Sequence, residues 1–167
     1  MSWLSKIFSK ASTLWLCLIA ICTAVHATSN VEIEQILQSN DPPPGIVFEI
    51  IEDDPDDMEE VIHETTRLIE RLSKRFPHME FAVVSHGPEL FALQEENQSE
   101  YPELHQTIRS LKSKDVPTHV CETFAGWSGV MAEQFPDYVD VTPVGPVQIK
   151  NYQELGYFHH LVEKAEK

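Results

Sequence analysis

The sequence is poor in cysteine, in basic residues and in long apolar runs, and each shortage removes a class of protein. Its three cysteines are Cys17, Cys22 and Cys121, and the first two fall in a segment that reads as a leader. Without that segment a single cysteine remains, which excludes an internal disulfide. Lysine and arginine together number 12 against 27 aspartates and glutamates. Such an acidic balance repels phosphate backbones and anionic headgroups, so neither nucleic acid nor a membrane surface is expected as a partner. Its plain consequence is solubility. The longest apolar run, from about residue 11 to residue 25, is short of the roughly 20 residues that a bilayer span needs. There is no internal repeat, no low-complexity segment and no standard zinc-ligand spacing.

The opening residues, MSWLSKIFSKASTLWLCLIAICTAVHA, place Lys6 and Lys10 before the apolar run and small residues after it. This is the layout of a secretory signal peptide over residues 1–27. The expected product is a periplasmic or secreted protein beginning near Thr28, with an uncleaved anchor as the alternative. Loss of the two lysines leaves ten basic residues against 27 acidic ones, a net charge of −17. Residues 28–44 then form an N-terminal extension and residues 45–167 one domain, long enough to hold its own core.

A short helix is expected between Thr28 and Asn40, ended by DPPPG at 41–45. GIVFEII (45–51) is a nearly unbroken β-branched and aromatic run, the pattern of a strand covered on both faces in a parallel sheet. EDDPDD (52–57) has the composition of an acidic metal loop. A helix start accounts for it better: Asp54 can cap, Pro55 suits the first position, and acids suit the positive end. Met58, Val61, Ile62, Thr65, Leu68, Ile69 and Leu72 then share one face, with Arg67, Arg71, Lys74 and Arg75 towards the helix end. MEFAVVS (79–85) reads as a second strand followed by the turn HGPEL, and QEENQSE (94–100) as an acidic loop. A second helix carries Leu104, Ile108 and Leu111. THVC (118–121), YVDVT and YFHHLV read as further strands, and FAGWSGVMAE and VQIKNYQELG as helices, the first weakened by Gly126 and Gly129. The sequon Asn97-Gln98-Ser99 marks an exposed loop. The alternation predicts an α/β fold with right-handed crossovers.

Ligands of such folds gather beyond the carboxyl ends of the strands. Three groups fall there: the acids from Glu52, the stretch Ser85 to Gly87, and Cys121. At the start of a helix, Cys121 gains stabilisation of its thiolate. Against this stand the neighbouring Glu122 and the general tendency of free cysteine to be buried, so a reactive thiol and a core filler both remain open. His119 shares a strand face with Cys121. The pair suits a proton acceptor with its thiol, or two ligands of a soft metal completed by His86, His159 or His160. His86 follows a strand directly and is either a catalytic group or a partner of the turn backbone. His159 and His160 are expected on opposite faces, one buried and one exposed. Phe124, Trp127 and Met131 are expected in the core or at a subunit contact.

GIVFEII, a second strand ending in FAVVSHG, KDVPTHVCETF, and the closing PDYVDVTPVGPVQIKNYQELGY together resemble the DsrE/DsrF-like family of sulfur-handling proteins. The likeness runs from about Gly45 to Val162 and rests on the order of elements. It implies a three-layer α/β/α sandwich with a mainly parallel sheet of about five strands, and homo-oligomers, commonly trimers or hexamers. It also implies that the cysteine matching Cys121 carries sulfur as a persulfide and exchanges it with a donor or acceptor protein, without a cofactor or metal. His86 and Gly87 are the matching rim of the site. Thr123 joins Gly87 as an expected binding residue, and His119 or His86 is expected to move the proton. The alternatives are a non-catalytic binding or assembly module of the same fold and, more weakly, a metal-binding protein.

Overall fold

The computed structural model of the protein describes residues 26–164. The expected leader therefore lies outside the described residues, apart from its last two. The chain forms two units, 1–38 and 39–167. The described part of the first is one helix, α1 (His26–Gln38), which begins and ends two residues before the expected bounds.

The second unit is built on five strands: β1 (Gly45–Ile50), β2 (Glu80–Ser85), β3 (Thr118–Cys121), β4 (Asp140–Thr142) and β5 (Phe158–Val162). All neighbours pair in parallel, in the order β4-β3-β2-β1-β5. This is the expected α/β fold with a parallel sheet. Between the strands lie α2 (Met58–Arg75), α3 (Pro102–Ser113), α4 (Glu122–Trp127) and α5 (Gly145–Glu154).

The acidic cluster is a helix start. The Asp54 carboxylate accepts from the Asp56 amide at 3.0 Å, and Pro55 opens a 3-10 turn that runs into α2. The buried stripe of α2 comprises the seven residues expected; the six apolar ones are each worth about 1.5–3 kcal/mol of burial when fully covered, while Thr65 returns its hydroxyl to the Val61 carbonyl at 2.7 Å. Phe48 and Phe81 stack within the core, 6.3 Å between centroids.

Several local expectations need correction. The acidic loop coils into a 3-10 helix, Glu95–Ser99, and HGPEL runs into another, Pro88–Leu93. The helix expected over 124–133 ends at Trp127, because Gly129 takes φ +78°, a conformation that no helix interior uses. Trp127 and Met131 consequently stand 78% and 65% exposed, so neither belongs to the core. β4 is two residues shorter than YVDVT. Tyr138, instead of pairing in the sheet, places its hydroxyl among Gln98, His105 and Arg109.

Strand order dictates where the helices go. Stepping outward from β1 to β4, right-handed crossovers carry α2, α3 and α4 along one face. The return from β4 across the whole sheet to β5 carries α5 along the other, where Ile149 packs on Val47, Ala82 and Val84. The connections leaving β3 and β4 thus part to opposite faces. Such a switch point is where open α/β sheets place their ligands, and here it falls between the ends occupied by Cys121 and Thr142. No helix of the described residues is long and apolar enough to cross a membrane.

Candidate functional site

Period-two alternation and the strand register bring five chemistry-bearing residues to the α5 face. Glu49 of β1 pairs with Val84, and Val84 with His119. Two residues beyond His119 is Cys121, and two beyond Val84 is His86. His159 lies opposite Val47 on β5. His160 falls on the other face, 3% exposed, against Phe48. Its burial pulls its pKa from 6.5 down to about 4. The pair of histidines therefore splits between the faces as the alternation requires.

Cys121 is a free cysteine, 4% exposed. It stands under the first residue of α5, where Gly145 is required by close approach. A Cβ there would lie 2.8 Å from the His86 Cβ and 3.3 Å from the Cys121 Cβ. The two side chains therefore share one floor. The helix start expected to favour the thiolate is weak, since α4 spans six residues and aligns few peptide dipoles.

The neighbour of His86 was not singled out in the sequence. Glu49 interrupts the apolar strand GIVFEI with a carboxylate 14% exposed. One oxygen, Oε1, lies 2.7 Å from His86 Nε2, and the other, Oε2, 2.5 Å from His159 Nε2. The hydrogen bonds from His159 and His86 outweigh burial and lower the Glu49 pKa from 4.5 to about 2. An ionised carboxylate only accepts, so both Nε2 atoms must carry hydrogen. A lone pair on a neutral His86 is then on Nδ1. The signal available in the sequence was the charge itself, set in the middle of a strand that otherwise requires none.

The turn after β2 rests on a second buried carboxylate. Glu89 is fully buried; it accepts from the Ser85 hydroxyl at 2.7 Å, the Gly87 amide at 3.0 Å and the Glu52 amide at 2.8 Å. A Cβ on Gly87 would collide with this carboxylate and reach the Glu52 carbonyl at 3.0 Å. Gly87 is thus explained by packing, and its turn aims His86 back over the sheet.

The remaining expected residues are placed differently. His119 lies lower on the face, where Nε2 meets the Tyr152 hydroxyl at 2.9 Å; burial lowers its pKa. Thr123 donates its hydroxyl to the Pro143 carbonyl at 2.7 Å, and its amide to the same oxygen at 3.2 Å. It stitches the α4 start to the loop after β4. The structure brings together Cys121 and His86, with Glu49 and His159 behind His86. It assigns His119 to Tyr152 and Thr123 to the Pro143 carbonyl. Among the described residues no group of three or more His, Cys, Asp or Glu side chains is arranged to hold a metal ion. A cleft of about 430 Å³ lies at the opposite, amino-terminal edge of the sheet, lined by Met79, Glu80, Val116, Tyr152 and Tyr157 among others. The titratable cluster and the switch point lie instead at the carboxyl edge.

No protein-family model matches the chain, and no curated protein matches it. Among solved structures it is similar to a protein of unknown function from Methanobacterium thermoautotrophicum. The match has 21% identity over 70% of this chain and 97% of that one, with a TM-score of 0.57. A conserved protein of unknown function from Bacteroides thetaiotaomicron matches at 10% identity over 71% of this chain and 95% of that one, with a TM-score of 0.46. The first likeness shows the α/β fold.

Proposed function

We propose that the protein carries sulfur on Cys121 as a persulfide, in the manner of the DsrE/DsrF-like proteins it resembles. The observation that carries this reading is the placement of Cys121 at the switch point beside His86, both against Gly145. His86 takes the thiol proton. The thiolate attacks the outer sulfur of a donor persulfide, R–S–SH, forming Cys121–S–SH and releasing R–S⁻, which takes the proton from His86. An acceptor thiolate then attacks the outer sulfur, a new S–S bond forms, and the Cys121 thiolate leaves. Two electrons move with each bond and no external oxidant is needed.

Incubation of the folded protein with glutathione persulfide tests this by intact mass. The expected result is a gain of one sulfur atom that is absent in Cys121→Ala. No gain, with a thiol that iodoacetamide still reaches, would overturn it.

The 4% exposure of Cys121 favours a second reading, an inert thiol in a binding or assembly module. That reading requires alkylation only on unfolding. The proposal also includes export after removal of residues 1–27 and assembly into trimers or hexamers. Trp127 and Met131, exposed in the single chain, suit a contact between copies, and light scattering of the purified protein reads the subunit number.

A further inference from the structure

Glu49 has no role in a strand that only builds a core. A carboxylate removed from water costs free energy unless donors meet it, and an apolar residue of similar size would serve the strand as well or better. Here two imidazoles meet it, one at each oxygen, from opposite neighbours in the sheet. Their exposures differ in a useful order: 14% for the His86 and Glu49 side chains, and 31% for His159. The arrangement runs from the covered thiol outward to solvent.

We propose that Glu49 and His159 are positioning residues for His86, forming an imidazole–carboxylate–imidazole relay that connects Cys121 with solvent. The inference rests on the reading of Cys121 as the sulfur carrier and supplies what that reading lacks, a reason for the thiol to ionise under cover. By accepting from Nε2, Glu49 holds the His86 ring in the tautomer whose Nδ1 is basic. It then stabilises the imidazolium formed when Nδ1 takes the thiol proton. His159 holds the second carboxylate oxygen and gives the pair an exit to water. When the donor's thiolate departs, the proton on His86 leaves with it, so charge balances over each transfer.

Other charged groups around this face have different partners. His119 on β3 turns to Tyr152 of α5. Asp140 on β4 is paired with Lys112 at 2.7 Å. Lys150 and Glu154 of α5 are exposed. The side-chain partner of His86 on this face is therefore Glu49, whose other oxygen is held by His159.

The experiment is the rate of Cys121 alkylation by iodoacetamide in the folded protein against pH, with persulfide uptake measured in parallel. Glu49→Gln keeps the shape and removes the charge; about a tenfold loss of rate at pH 7 is expected, with the profile moved towards higher pH. Glu49→Asp should recover part of it. His159→Gln, altered at a partly exposed site, should move the profile in the same direction by a smaller amount. Profiles of Glu49→Gln and His159→Gln that superimpose on the wild type, while the wild type still takes up sulfur, would overturn the relay and leave the sulfur reading standing. A wild-type thiol that takes up neither reagent until unfolded would overturn both. If Glu49→Gln fails to fold, the His159→Gln profile decides.

Discussion

Replacing Glu89 by alanine tests whether a buried carboxylate holds the loop that aims His86. The side chain is wholly covered and accepts three hydrogen bonds, at 2.7, 2.8 and 3.0 Å. Each bond to a carboxylate contributes about 1.5–3 kcal/mol, and each donor left unmet in the interior costs a similar amount. The losses do not add fully, because the Ser85 hydroxyl can rotate to another acceptor and water can enter the space vacated. A net loss of about 3–5 kcal/mol follows, comparable with breaking a buried ion pair. For a domain of this size that lowers the melting temperature by roughly 10–20 °C. Urea unfolding followed by far-ultraviolet circular dichroism measures it, with the exposed Glu103→Ala as a control expected to move stability by under about 0.5 kcal/mol. Glu89→Gln should fall between them, since its amide oxygen can still accept while its NH2 faces a donor. A loss below about 1 kcal/mol for Glu89→Ala, with an unchanged urea slope, would refute the claim that this carboxylate organises the turn.

Acid should weaken the fold in two separable steps. His160 is neutral in the fold down to about pH 4 against an ordinary 6.5. The unfolded chain therefore binds a proton first, and stability falls by about 3 kcal/mol between those values; His160→Asn should flatten that limb of the urea midpoint against pH. Glu49 behaves in the opposite sense, with a folded pKa of about 2 against 4.5. Its stabilisation of about 3 kcal/mol is present above 4.5 and disappears as the pH falls through 2, so the gap between wild type and Glu49→Gln should close over that window. Gly145→Val should cost about 1–3 kcal/mol by overpacking and displace His86, read as a change in its imidazole resonances on nuclear magnetic resonance. Trp127→Ala, at an exposed site, should leave the stability of the isolated chain within about 0.5 kcal/mol, while lowering the mass found by light scattering.

Much of the architecture was legible because it depends on local periodicity. The seven buried positions of α2 follow from 3.6-residue spacing, and the Asp54–Pro55 start follows from cap chemistry. Five strands were visible as β-branched runs, with ends blurred by a residue or two. The candidate site was legible in part. Cys121 and His86 could be seen because each closes a strand, and strand ends are where such folds place chemistry. Glu49 and Glu89 went unread, since nothing local to either shows what lies opposite. The partners of Glu49 are 37 and 110 residues away along the chain. His119 and Thr123 were read as site residues because they neighbour Cys121 in sequence, yet their polar atoms are engaged by Tyr152 and Pro143, from segments 33 and 20 residues distant.

The amino-acid order by itself determined the alternation of strand and helix, the acidic surface and the lone thiol of the domain, because these depend on side chains and near neighbours. Only the tertiary structure decided that β5 returns beside β1, so that His159 reaches Glu49, and that α5 crosses the opposite face, so that Gly145 covers Cys121. Strand order is fixed by which apolar faces can be buried together, and that sum is taken over the whole chain at once.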